Sequence, residues 1–180
     1  LTLFEKKLYF SANNGESGFR LWSIPSNGDE KKLEPLTLNG NEDKPILNPK
    51  GLTVAGNNLY FTATHERGGQ KLFILKEGDS NPKLVKKGGK NPQHLTEING
   101  SLYYSASSTR GREPWIAIGS QAQQLQNINP GPASSNPSNF QEVEKKIDGK
   151  IEHRLFFTAN NGKNGFELWS KLLNKKNDKS

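Results

Sequence analysis

The side chains in this 180-residue chain best suited to chemistry are three histidines, scattered carboxylates and an excess of cations. His65, His94 and His153 stand far apart, with none of the spacings that gather imidazoles around a metal ion. They read as exposed positions in loops or at strand ends. Cysteine is absent, which removes disulfides and thiolate metal sites together. Ser108, Ser134 and Ser135 lack the strand–turn–helix context of a hydrolase nucleophile. The turns at 13–15 and 160–162 offer amide oxygens, but Glu16 is the one carboxylate nearby, too little charge for a calcium loop. No catalytic residue, metal ligand or cofactor site is assigned on this basis, and the chain does not read as an enzyme.

The elements that must position any functional group emerge from self-similarity. The segment Leu8-Tyr9-Phe10-Ser11-Ala12 returns with leading leucines at Leu59, Leu102 and Leu155, at intervals of 51, 43 and 53 residues. A second aromatic anchor follows each copy: Trp22, Phe73 and Trp169 fourteen residues on, Trp115 thirteen. Glycine-bearing turns between the anchors, such as Asn13-Asn14-Gly15 and Asn160-Asn161-Gly162, predict hairpins of antiparallel strands.

An upstream strand begins seven residues before the leucine in three copies, at Leu1, Leu52 and Leu95, and Phe140 takes that part in the fourth, with a loop from Glu144 to Glu152 inserted. The dipeptides Asn48-Pro49, Asn91-Pro92 and Asn136-Pro137 are expected to mark where the chain crosses to the next unit. Outer edge strands are expected over 33–38, 83–85 and 123–128, with none in the fourth copy.

Each copy thus predicts a four-stranded antiparallel unit, strands a to d. The expected fold is all-β: a propeller of four blades of about 45–50 residues, the last incomplete, forming either a four-bladed ring or part of a larger one. Repeats are placed near 1–50, 51–93, 94–138 and 139–172, followed by a flexible tail over 173–180. The matched tryptophans are expected to pack between blades, a role that Phe73 fills equally well.

The stretches LYFSANNGESGFRLW (8–22) and LFFTANNGKNGFELW (155–169) resemble the bacterial ELWxxDGT repeat family, and INPGPASSNPSNF (128–140) resembles its inter-repeat linker. The resemblance reaches all four copies, closely in the first and last. It implies a propeller-like bacterial protein that is secreted, periplasmic or on the cell surface. The family's DGT element after the second anchor is missing in every copy, so a role tied to it is not expected here. The first residue is leucine and methionine is absent, so the natural polypeptide is expected to begin upstream. No apolar run approaches the ~20 residues of a membrane span.

In a propeller, the b–c and d–a loops share one side of the disc. Those loops carry +5 of the chain's net +7. The cations are dispersed rather than in blocks, so nucleic acid is not the expected partner. Arg67, Lys71, Arg110, Arg112 and Lys163 are the candidate binding residues, facing a protein or acidic polysaccharide partner. The expectation is a non-catalytic binding or assembly module, with self-association or a larger assembly as a corollary. A carbohydrate-binding lectin and a propeller-fold hydrolase or lyase are the alternatives.

Overall fold

The computed structural model describes residues 1–15, 18–27, 33–38, 40–65, 69–147 and 150–173. Among them there is no helix, and the fold is all-β with antiparallel sheets. Sheet I contains β1 (Thr2–Phe4), β2 (Lys7–Asn13), β3 (Phe19–Pro25) and β4 (Glu34–Pro35). A small hairpin of β5 (Thr37–Leu38) and β6 (Asn41–Pro45) follows. Sheet II contains β7 (Leu47–Val54), β8 (Asn58–Thr64), β9 (Gln70–Lys76) and β10 (Lys83–Leu84). Sheet III contains β11 (Lys90–Ile98), β12 (Ser101–Ser108), β13 (Gly111–Ile118) and β14 (Gln121–Gln124). Sheet IV contains β15 (Ser138–Ile147), β16 (Lys150–Asn160) and β17 (Phe166–Leu172). The pair Arg20 and Leu47 links the ladders of sheets I and II. Residues 174–180 lie outside the described residues.

The registers of the four sheets match. The two aromatic anchors of each copy are direct cross-strand partners: Phe10 with Trp22, Phe61 with Phe73, Tyr104 with Trp115, and Phe157 with Trp169. Each tryptophan indole N–H donates to the alanine carbonyl two residues past its partner, Ala12, Ala106 or Ala159, at 3.0–3.1 Å. Phe73 has no such donor and instead stacks on Phe61, ring centroids 5.5 Å apart.

Alternation along a strand sends successive side chains to opposite faces, and the sheets stack accordingly. The face of sheet II bearing Leu59, Phe61, Phe73 and Leu75 packs on Tyr9 and Leu21 of sheet I. Its other face, with Tyr60, Leu72 and Ile74, packs on Leu102, Tyr104 and Trp115 of sheet III. Tyr103 and Ile116 of sheet III meet Leu155, Phe157 and Trp169 of sheet IV. The first strands lie side by side, β1 against β7, β7 against β11, and β11 against β15. No apolar cluster joins sheet IV to sheet I among the described residues.

Two of the three Asn-Pro dipeptides do not stand at the crossings. Asn48-Pro49 and Asn91-Pro92 lie inside β7 and β11, where the register shifts, and Asn136-Pro137 immediately precedes β15. Each asparagine is left-handed (φ 53, 50 and 47°), and a second left-handed residue follows three positions later: Gly51, His94 or Asn139. The three prolines are buried. This is a β-bulge, which re-aims the strand and tolerates proline because a ladder bond is already lost. The hydroxyls of Thr62, Ser105 and Thr158 donate to the carbonyls of Lys50, Gln93 and Ser138 within it, at 3.3–3.4 Å. A buried hydroxyl needs a partner, so the Ser/Thr position of the repeated segment is fixed by the bulge it faces.

Other expectations are corrected in detail. Residues 144–147 and 150–152, expected in a loop, are strand instead, because the β15–β16 ladder runs out to Ile147 paired with Lys150. The strand expected over 33–38 is divided between sheet I and the β5–β6 hairpin, and that expected over 123–128 is the earlier β14. Residues 125–137 are held instead by Glu113, which is fully buried. Its carboxylate accepts from the N–H of Ile128 (2.8 Å), the Ser135 hydroxyl (2.7 Å) and the N–H of Asn129 (3.4 Å).

Candidate functional site

Three of the registers place the start of a first strand beside the end of the second: Leu47 opposite Thr64, Lys90 opposite Ser107, Ser138 opposite Thr158. The d–a connections and b–c turns therefore share one end of sheets II, III and IV. At that end an open groove of about 560 Å³ runs between sheets II and III. Leu72, Leu84, Val85 and Trp115 give it an apolar lining, and Ser107, Ser108 and Thr109 add three residues with hydroxyls. Lys71, Lys87 and Lys90 line it as well, and among the described residues no carboxylate does.

The backbone that carries two of these lysines is pinned on both sides. The Val85 N–H donates to the Leu72 carbonyl at 2.9 Å, and the Lys86 N–H to the Ser120 carbonyl at 3.0 Å. The Tyr104 hydroxyl donates to the Gly88 carbonyl at 3.2 Å. Gly89 is left-handed (φ 72°), and a Cβ there would stand 2.7 Å from the Ala106 Cβ. Glycine is thus required for the chain to lie against sheet III and bring Lys90 into register with Ser107. Burial drives the pKa of the Tyr104 hydroxyl upward, so it stays a neutral donor at physiological pH.

The five candidate binding residues have different fates. Lys71 lines the groove. Arg110 is exposed in the β12–β13 turn, next in sequence to the lining residue Thr109. Arg112 is a brace: its guanidinium donates to the Ser105 carbonyl (3.3 Å), the Ser105 hydroxyl (3.2 Å) and the Asn91 carbonyl (2.9 Å), and burial lowers its pKa. Lys163 is exposed in the β16–β17 turn of sheet IV and does not line the groove. Arg67 lies outside the described residues. Glu113, beside Arg112 at the start of β13, is buried under the 128–135 segment and presents no charge to a partner. Lys87 and Lys90 were visible only as part of a basic loop. Their signal is the pair Gly88-Gly89 between them, which lets the loop fold onto its neighbour.

A second cluster joins residues that sequence spacing kept apart. Glu142, Glu144 and His153 share one face of the β15–β16 ladder, with their potential ligand atoms within 4.8 Å of one another. His153 Nδ1 lies 2.6 Å from Glu142 and 3.5 Å from Glu144, so this histidine is half-buried and paired rather than isolated. Glu142 also accepts from the Asn99 amide at 2.5 Å, which ties sheet IV to sheet III. Burial, and then the charge of Glu142, raise the pKa of Tyr103. His94 sits at the exposed β11 bulge rather than in a loop.

The chain matches no family profile and no curated protein sequence.

Proposed function

We propose that this chain is a non-catalytic binding module, an arc of a β-propeller belonging to a secreted, periplasmic or cell-surface bacterial protein, that holds an acidic polysaccharide in the groove between sheets II and III. The observation that carries the reading is the groove's lining: three lysines, residues with hydroxyls and an apolar floor, with no carboxylate among the described residues. Ammonium groups attract sugar carboxylates or sulfates, hydroxyls bond to the ring substituents, and apolar side chains cover the C–H faces of a pyranose. The propeller reading is supported by four sheets in matching register with their first strands side by side. The compartment rests on the likeness of residues 8–22 and 155–169 to the ELWxxDGT repeats.

The test is calorimetric titration with a sulfated polysaccharide and, in parallel, with polyglutamate. Exposed ion pairs are worth about 0.5–1 kcal/mol each. Replacing Lys71, Lys87 and Lys90 together by alanine is therefore expected to weaken polysaccharide binding roughly ten- to a hundredfold. Binding should also weaken as salt rises. Tighter binding of polyglutamate would move the assignment to an acidic protein partner. Absence of binding to either polymer, or binding indifferent to the triple variant, would refute the groove.

A further inference from the structure

Every internal interface in this molecule has the same two halves. A front face, built on the leucine and the two anchors, receives the back face of the preceding sheet. The fronts of sheets II, III and IV are covered in this way. Among the described residues, at the two ends of the stack one half is left without its complement. The front of sheet I carries Leu3, Leu8, Phe10, Trp22 and Ile24. Leu3 is 62% exposed and the other four are only half-buried, whereas Leu59, Phe61, Phe73 and Leu75 at the matching positions of sheet II are completely buried.

The back of sheet IV is the other unmatched half. Leu21, Leu72 and Leu168 occupy the same place, one residue before the second anchor. The first two are 0% and 1% exposed under the next sheet, and Leu168 is 70% exposed. Phe156 stands where Tyr9, Tyr60 and Tyr103 are buried, and it is only half-buried. Phe156 lacks a hydroxyl, unlike Tyr60, which donates to the Gly119 carbonyl of the next sheet.

We infer that the back face of sheet IV docks on the front face of sheet I of a second copy of this chain, head to tail, continuing the stack across the subunit boundary. The occupant is named by the molecule itself. The surface that fits a front face is a back face of this pattern, as three internal interfaces demonstrate, and the chain exposes one of each. A contact between two different faces is heterologous. It closes when the accumulated rotation completes a circle and extends when it does not. Two copies would bring eight sheets together, within the range of closed propellers. This inference does not depend on the groove, which lies between sheets II and III.

Sedimentation equilibrium of the full chain from 1 to 300 µM tests it. The expected result is reversible growth from monomer to dimer or a longer series. Leu168→Lys on the back face and Phe10→Lys on the front face should each weaken association about a hundredfold, from losing a buried apolar contact and adding an unpaired charge. Circular dichroism and the melting curve of each variant confirm that it folds; if Phe10→Lys does not, Leu3→Lys replaces it. An equimolar mixture of a back-face and a front-face variant retains one intact pair of faces and should form a 1:1 heterodimer that grows no further. That signature separates head-to-tail docking from a symmetric contact between like faces. A wild-type chain that stays monomeric at 300 µM, an assembly that Leu168→Lys leaves intact, or a mixture that fails to pair would overturn the inference.

Discussion

Replacing Glu113 is the most direct probe of how sheet III holds the chain that leads to sheet IV. The carboxylate is fully buried and takes two short hydrogen bonds, from the Ile128 N–H at 2.8 Å and the Ser135 hydroxyl at 2.7 Å, with a longer one from Asn129. Glu113→Ala leaves the buried Ile128 N–H without an acceptor, at about 1–3 kcal/mol, while the Ser135 hydroxyl turns to the Arg112 carbonyl 3.2 Å away. The weaker bond left to Ser135 adds to this loss and relief of the carboxylate's own burial offsets part of it, so the net loss is about 2 kcal/mol. For a domain of this size that is roughly 4–8 °C in Tm. Burial raises the pKa of Glu113 above its ordinary 4.5, against the lowering effect of its hydrogen bonds. The folded chain therefore binds this proton more tightly than the unfolded chain. Its contribution to stability is complete below pH 4.5 and declines as pH rises through the elevated folded value. Glu113→Gln keeps an acceptor and loses the titration, so it should cost less than Glu113→Ala and remove this falling component. Urea unfolding followed by tryptophan fluorescence from pH 4 to 8 measures both effects. A loss below about 1 kcal/mol for the alanine variant, or an identical pH slope in wild type and Glu113→Gln, would refute the role.

Two further outcomes follow from the packing. Leu72→Ala, at a position 1% exposed between sheets II and III, should cost about 2–5 kcal/mol in a denaturant titration, as a cavity in a close-packed interface does. Gly111→Ala should destabilise by more than about 3 kcal/mol in a thermal melt: φ is 78°, and the added Cβ would run into the Ala133 carbonyl of the linker.

Much of the architecture is carried by local chemistry and was legible in the chain. The intervals between the leading leucines, the anchors thirteen or fourteen residues on and the Asn-Gly turns dictate antiparallel hairpins, because a period of two and a tight turn leave little other choice. Asn48-Pro49 and Asn91-Pro92 were visible but misplaced. A proline announces a lost ladder bond, and only the register shows that the loss falls in a bulge of the first strand rather than at a crossing. The excess of cations at one end of the sheets was also countable, since loops of equal rank in a repeat share an end.

Which of those charges serve a ligand was decided by tertiary structure. Arg112 and Lys71 look alike in the sequence. The first is consumed within its own sheet, by the Asn91 carbonyl at the β11 bulge and by the carbonyl and hydroxyl of Ser105, whereas the second lines a groove that the adjoining sheet III helps to form. Glu113 and Glu167 occupy the same register position, opposite Ala106 and Ala159, yet the 128–135 segment buries only the first. His153, Glu142 and Glu144 meet because the β15–β16 ladder is longer than its equivalents. Hydrophobic spacing determines which way a side chain points from its own strand. What it meets there depends on the adjoining sheet, whose contacts come from residues distant in the chain.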